Sequence, residues 1–245
     1  MAEKDRLLQS GDGLEVLSLF AGIGGIDLGL ERAGMTVVGQ VEINPFCKRI
    51  LEKHWPEVPR HDDVRTAVEW WGNRPAPSVV AGGFPCQDIS DAHTNGTRAA
   101  LDGPRSGLWS AYRTVVAELK PRWVIAENVA AWRRWVPGVR SDLHELGYAS
   151  VPLCLSAGSF GAPHKRPRVV VVADSHRDGE SLRAIHAEVA RLRPVPRGGG
   201  DWRDSSPVDF RVADGLPGAM DRDHALGNSV VPAVAEFVGR AVMVA

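Results

Sequence analysis

Short apolar runs closed by glycine, proline or aspartate punctuate this chain, and the stretches between them carry apolar residues at helical spacing. Residues 15–20, 36–41, 78–81 and 123–126 read as buried strands. Residues 149–155 and 169–173 read as two more, paired through a turn at 161–163. Helices are expected at 26–33, 44–54, 108–119, 141–146, 180–192 and 232–244. Strands alternating with helices predict an α/β fold on a mostly parallel sheet, with an antiparallel edge over 149–173. The pattern lapses over 174–218, which is rich in Arg, Pro, Gly and Asp, and 193–207 reads as a loop around Gly198, Gly199 and Gly200. We therefore expect a main domain over 1–173, a small insertion over 174–225, and a C-terminal helix over 226–245 returning to the main domain.

Composition narrows the class. With 44% hydrophobic and 24% charged residues, the 245-residue chain is neither disordered nor fibrous. Its apolar runs are strand-sized, so no membrane span is expected, and residues 1–10 lack the apolar core of a signal peptide. Three cysteines (Cys47, Cys86 and Cys154) are too few for a disulfide framework or a zinc site, which favours a reducing, cytoplasmic setting without a metal. His93, His176 and His224 lack ligand spacing. Net charge is −1 but unevenly spread: residues 1–100 carry 10 basic against 14 acidic groups, and residues 101–203 carry 16 against 10. The middle of the chain can thus present a basic face to a polyanion.

Four clusters carry candidate chemistry. In the first, Phe20, Ala21, Gly22, Gly24 and Gly25 close a strand and open a helix, where glycines let backbone approach a ligand. Glu42 ends the next strand, where nucleotide-type folds hold ribose hydroxyls, and Asp62 and Asp63 close a further turn within reach of an adenine edge. The second cluster, Gly83-Phe84-Pro85-Cys86-Gln87, follows the 78–81 strand, so Cys86 stands where a nucleophile would. Cys47 in a helix and Cys154 in a strand are expected to be buried and inert. The third is Glu127-Asn128-Val129 at the end of a neighbouring strand, where a carboxyl in a crevice can donate a proton near neutrality. In the fourth, His164-Lys165-Arg166-Pro167-Arg168, extended spacing puts Arg166 and Arg168 on one face as a pair for a phosphate or a base. Taken singly, these residues also fit a tight turn, a buried thiol, a solvated acid and a charged strand edge.

As an ordered set they resemble the DNA cytosine-C5 methyltransferases. The resemblance runs from Leu17-Ser18-Leu19-Phe20-Ala21-Gly22-Ile23-Gly24-Gly25 through Glu42, Pro85-Cys86-Gln87 and Glu127-Asn128-Val129. It continues to Arg166 and Arg168 and ends at Leu226-Gly227-Asn228-Ser229-Val230-Val231-Pro232. It implies the Rossmann-like fold of S-adenosylmethionine-dependent methyltransferases and transfer of a methyl group to C5 of a cytosine flipped out of double-stranded DNA. By resemblance, Phe20, Glu42, Ile43, Asp62 or Asp63, Asn228 and Val230 hold S-adenosylmethionine alongside the glycine-rich loop. Cys86 adds to C6, Glu127 assists at N3, Arg168 holds the ring oxygen, and Arg166 completes the catalytic set. Pro85, Gln87, Ser90 and Asn128 belong to the DNA side, with 88–106 as a closing loop.

The chain departs from the family in two places. His164 stands where Gln is usual, and only about fifty residues (174–226) separate the arginine motif from the final Asn motif. Arg211-Val212-Ala213-Asp214-Gly215-Leu216-Pro217 is a candidate replacement for the penultimate motif, as in compact, phage-like members. A reader this small predicts a short recognition sequence, two to four base pairs by our expectation. Trp109, Trp123 and Trp132 are expected in the core, whereas Trp202, beside Arg203, is the tryptophan best placed to touch DNA. The resemblance implies a monomer, solitary or with a restriction endonuclease partner. The alternatives are a tRNA cytosine methyltransferase, a catalytically silent DNA-binding relative, and a thiol enzyme acting on small molecules.

Overall fold

The computed structural model describes residues 13–85, 107–162, 165–176, 179–192 and 229–245. Cys86, Gln87, Ser90, His164, Trp202 and Asn228 lie outside the described residues, as do the expected loop over 88–106 and most of the insertion.

Seven strands form one sheet: β1 (Glu15–Leu19), β2 (Thr36–Val41), β3 (Arg60–His61), β4 (Val79–Gly83), β5 (Trp123–Val129), β6 (Ala149–Ser156) and β7 (Pro167–Asp174). They lie in the order β3-β2-β1-β4-β5-β7-β6. The first five are mutually parallel, and β7 runs antiparallel to both β5 and β6. This is the expected mixed α/β architecture with its antiparallel edge. The chain turns to opposite sides of β1, first to β2 and later to β4, and such a switch point opens a crevice at the carboxyl ends of those strands.

Helices cover both faces. On one side, α3 (Ala67–Trp71), α4 (Gly107–Leu119) and α5 (Trp132–Glu145) seal a core containing Leu17, Val80, Tyr112, Val124, Trp135 and Val171. On the other, α1 (Gly25–Arg32), α6 (Glu180–Arg191) and α7 (Pro232–Met243) cover Val16, Val79, Ile125 and Val172. Buried on both faces, β4 and β5 need unbroken apolar runs, and their sequences supply them. Helix α2 (Pro45–His54) starts where Asn44 Oδ1 accepts from the amides of Phe46 and Cys47, with Pro45 opening the first turn. In α6, Leu182 and Ile185 are buried and Ser181 Oγ donates to the Ala245 carbonyl, which fastens this start of the expected insertion to the C-terminal segment.

Several expectations are corrected. Helix α5 begins nine residues before the expected start at 141: Pro137 reads as a breaker yet lies inside the helix, where Trp135, Val136, Val139 and Leu143 supply a buried stripe that holds it. Trp132 is 48% exposed rather than in the core; Trp135, one turn on, takes the buried place. Cys154 is exposed because edge strand β6 alternates, turning Leu153 and Leu155 inward. Cys47 is buried as expected, and Trp109 and Trp123 lie in the core. No helix among the described residues is long and apolar enough to cross a membrane.

Candidate active site

A cavity of about 380 Å³ opens at the carboxyl ends of the central strands. Phe20, Gly22, Glu42, Ile43, Asp62 and Asp63 line one half; Gly83, Phe84, Pro85, Glu127, Asn128 and Arg168 line the other. Two regions far apart in the chain are thereby brought to one space, of a size typical for small-molecule sites.

The first half is set by the turn after β1. Phe20 adopts φ 53° and Gly22 φ 57°, so the chain doubles back tightly enough for Ala21 N–H to donate to the Val41 carbonyl at 3.1 Å. Glu42 then receives two backbone amides, Gly22 on Oε2 and Asn44 on Oε1, each at 2.7 Å. The carboxylate is buried and fixed, and each oxygen keeps a lone pair for hydroxyls of a ligand. Phe20 stacks on Tyr112 at 6.4 Å between centroids, and Tyr112, in turn, lies within 3.1 Å of the Val80 and Ile125 carbonyls. A rigid aromatic platform results. Ile43, 64% exposed, offers the cavity an apolar side chain.

Asp62 pairs with Lys48 at 2.7 Å. Asp63 accepts from Arg65 backbone and side chain, and that side-chain bond leads the effects holding its carboxyl below the usual range. Gly24, Gly25, Ala21 and Val230 are not among the cavity's lining residues. At Gly24 a Cβ would stand 2.3 Å from the Trp55 ring, and at Gly25 2.2 Å from the Val230 carbonyl oxygen. These glycines admit close packing beneath the loop.

The second half centres on Glu127. Parallel pairing sets it level with Gly83 on β4, and antiparallel pairing sets it level with Val170 on β7. Its carboxyl is buried, and an Oε1–Arg168 Nε ion pair of 3.1 Å lacks the alignment of a hydrogen bond, so Oε1 has no hydrogen-bond partner. Burial raises the carboxyl from 4.5 to about 7 against the pull of Arg168 and Arg166. A buried acid with unused hydrogen-bonding capacity thus faces the cavity near its protonation midpoint.

Arg166 adopts φ 35° just before β7, so strand alternation does not extend to it as expected, although its charge still bears on Glu127. Its guanidinium donates to the Ser229 carbonyl at 2.7 Å, joining this edge to the residue after Asn228. Asn128 Nδ2 donates to the Phe84 carbonyl at 3.0 Å, so β5 steadies the chain just before Pro85 and Cys86. Pro85, the last described residue of that segment, lines the cavity.

Sequence reasoning missed the buried set Ser18, Asp27 and Gln40, together with Tyr112 and the steric role of Gly83. An acid beside Ile26, one position off the apolar stripe of α1, was the available signal for the first. Among the described residues no cluster of His, Cys, Asp and Glu could hold a metal ion.

A family model for C-5 cytosine-specific DNA methylases matches residues 14–194. The Type II methyltransferase M2.BsuMI of Bacillus subtilis is 37% identical over 178 residues, covering 69% of this chain and 44% of that protein. M.HhaI of Haemophilus parahaemolyticus is 29% identical over 65% of this chain and 49% of its own length. The chain spans less than half the length of these two relatives. Among solved structures, a prophage-encoded protein of Escherichia coli described as a DNA modification methyltransferase superposes with TM-score 0.56 at 27% identity, covering 70% of this chain and 48% of that one. The Schizosaccharomyces pombe Dnmt2 methyltransferase superposes with TM-score 0.59 at 22% identity over 76% of this chain and 58% of its own, a likeness of fold.

Proposed function

The chain belongs to the C-5 cytosine-specific DNA methylase family, and we propose that it methylates C5 of a cytosine flipped out of double-stranded DNA, with S-adenosylmethionine as donor. The observation carrying this reading is Glu127, a buried acid poised near pH 7 beside Arg168, in the same cavity as the Glu42 cradle.

The first half suits an adenosine moiety. Phe20 and Ile43 offer faces to a purine, Glu42 offers two oriented oxygens to ribose hydroxyls, and Asp62 or Asp63 meets the adenine amino group. Ala21, Gly22, Gly24 and Gly25 shape the turn, and Asn228 and Val230 complete the assignment. S-adenosylmethionine, when bound, supplies an activated methyl group.

The second half acts on the base. C5 of cytosine is a weak nucleophile until a bond forms at C6, and the Cys86 thiolate makes that bond. Glu127, protonated, donates to N3 and accommodates the electron density pushed into the ring; Arg168 holds O2 and Arg166 supports the edge. After methylation, solvent water takes the C5 proton, the N3 proton returns to Glu127, and departure of the Cys86 thiolate restores the aromatic ring. Asn128 steadies the Cys86 segment, and Pro85, Gln87 and Ser90 face the DNA. We assign action as a cytoplasmic monomer, solitary or with a restriction endonuclease partner in the same system.

Incubating the full chain with S-adenosylmethionine and either duplex DNA or tRNA, then mapping 5-methylcytosine at single-base resolution, tests the reading. Methyl groups in duplex DNA at a short recurring sequence are expected, with a covalent adduct on 5-fluorocytosine DNA that Cys86→Ser abolishes. Methylation of tRNA alone, or trapping unaffected by Cys86→Ser, would overturn it.

A further inference from the structure

Beneath the first half of the cavity lies a polar cluster in a part of the core where apolar side chains are the rule. Asp27 on the first turn of α1 is fully buried, as are Ser18 on β1 and Gln40 on β2. Ser18 Oγ donates to Asp27 Oδ1 at 2.5 Å, and Gln40 Nε2 donates to Oδ2 at 2.6 Å. Gln40 is held from its other end by Arg60, which donates to its Oε1 at 3.0 Å and to the Trp55 carbonyl at 2.7 Å. Ser18 stands two residues before Phe20, and Gln40 two before Glu42. One carboxylate therefore ties together the strand ends that carry the aromatic platform and the ribose acceptor.

Its electrostatic setting is unfavourable for a group kept only to hold the fold. Among the described residues no Lys, Arg or His forms an ion pair with Asp27. Glu31, one turn along α1, opposes its charge, and Arg60 reaches it only through Gln40. On α7, which packs against α1 at Gly29, Glu236 and Arg240 pair with each other at 2.6 Å. Burial raises the Asp27 carboxyl from 3.8 to about 6 despite the two hydrogen bonds. The raised value means that its contribution to stability is fully present below about pH 4 and is lost as pH rises through about 6. At neutral pH the fold carries a buried charge that a neutral amide would spare it.

We propose that Asp27 is a positioning residue for the cofactor half of the site: by accepting from Ser18 and Gln40 at once, its carboxylate sets the placement of Phe20 against Glu42. This rests on the reading that S-adenosylmethionine binds there. A proton on Oδ2 would confront the Gln40 amide, whose own oxygen is committed to Arg60. A proton on Oδ1 would force the Ser18 hydroxyl to seek another acceptor. Either change loosens one strand end from the other.

The test is titration of the full chain with S-adenosylhomocysteine between pH 5 and 8, alongside thermal unfolding without ligand. The parent should lose affinity as pH falls through about 6. Asp27→Asn should bind about tenfold more weakly at pH 7.5, roughly one charge-assisted hydrogen bond expressed in binding. It should lack the acid-side fall, and its melting temperature should equal or exceed the parent's. Ser18→Ala, which removes a single donor, should weaken binding in the same direction by a smaller factor. Should Asp27→Asn not fold, the parent's pH profile and Ser18→Ala decide. Unchanged affinity in the variants, a parent profile flat across pH 6, or a lower melting temperature with affinity intact would overturn the proposal and leave a purely structural role. A parent that binds no S-adenosylhomocysteine at any pH would instead overturn the cofactor reading.

Discussion

Gly83→Ala is a small change with a large expected effect on turnover. A Cβ at this position would stand 2.7 Å from Glu127 Oε2, whereas ordinary contact begins at 3.4 Å. The carboxyl must therefore shift by about 0.7 Å, the difference between those two distances. It has little freedom to do so: Oε1 lies 3.1 Å from Arg168 Nε, and the new methyl would also rest 3.8 Å from Val230 Cγ2. A displacement approaching 1 Å at a group that must meet a ring nitrogen costs on the order of 100-fold in rate. We expect kcat on duplex DNA to fall roughly 10- to 100-fold, with S-adenosylhomocysteine affinity within a factor of about two, since the first half of the cavity is untouched. Overpacking should lower stability by about 1–3 kcal/mol. Single-turnover methylation, ligand titration and chemical denaturation separate these effects. A variant that methylates at the parental rate would refute the claim that the missing side chain at 83 is what lets Glu127 occupy its place.

The Glu127 carboxyl, raised to about 7 by burial, must hold its proton to donate to N3, so the kcat/KM profile should bend downward near pH 7. Glu127→Gln should lower the rate and remove that bend; retention of the parental shape would disprove the role of the carboxyl. The same shift has a sign for stability: Glu127's contribution is fully present below about 4.5 and lost as pH rises through about 7, so melting temperatures of parent and Glu127→Gln should converge or cross within that window. Glu42→Ala strips the Gly22 and Asn44 amides of their acceptor, and calorimetry should show at least about tenfold weaker S-adenosylhomocysteine binding together with a stability loss of about 1–3 kcal/mol. Binding within twofold of the parent would remove Glu42 from the cofactor site.

Much of this arrangement was legible from periodicity and punctuation, because the signals are local. Apolar runs at β1, β2, β4 and β5 and the glycines after β1 need no knowledge of neighbours. The features that escaped depend on neighbours. Strand β3 is two polar residues, Arg60 and His61, whose pairing with β2 is visible only in register. The early turns of α5 were hidden by Pro137, which reads as a stop in one dimension but lies inside a helix whose buried stripe packs on the sheet. Asp27 has an obvious purpose only once β1 and β2 lie side by side, and the steric need at Gly83 appears only once β4 meets β5 at Glu127. The catalytic chemistry assigned to Cys86 still rests on its motif and on the placement of its neighbours Phe84 and Pro85.

The two buried acids, Asp27 and Glu127, explain each other's unusual positions. Each sits where its charge is penalised, and in each case burial is the leading cause of the raised carboxyl. Backbone strain gathers in the same places: of the three described non-glycine residues at positive φ, Phe20 and Arg166 belong to the two halves of the site, and such conformers cost about 1–3 kcal/mol each. A sheet selected for stability alone would replace the acids with apolar or amide side chains and relax both turns. Their joint presence makes sense if the fold gives up stability at two points to hold two rigid settings, one that must keep a carboxylate ionised and one that must keep a carboxyl protonated. At pH values between about 6 and about 7 both conditions are met in one molecule, with Asp27 ionised and Glu127 still largely protonated. Raising either group by removing its partners, Ser18 and Gln40 for Asp27 or Arg168 for Glu127, would move that window, which is why the hydrogen-bond and ion-pair partners matter to the chemistry as much as the acids themselves.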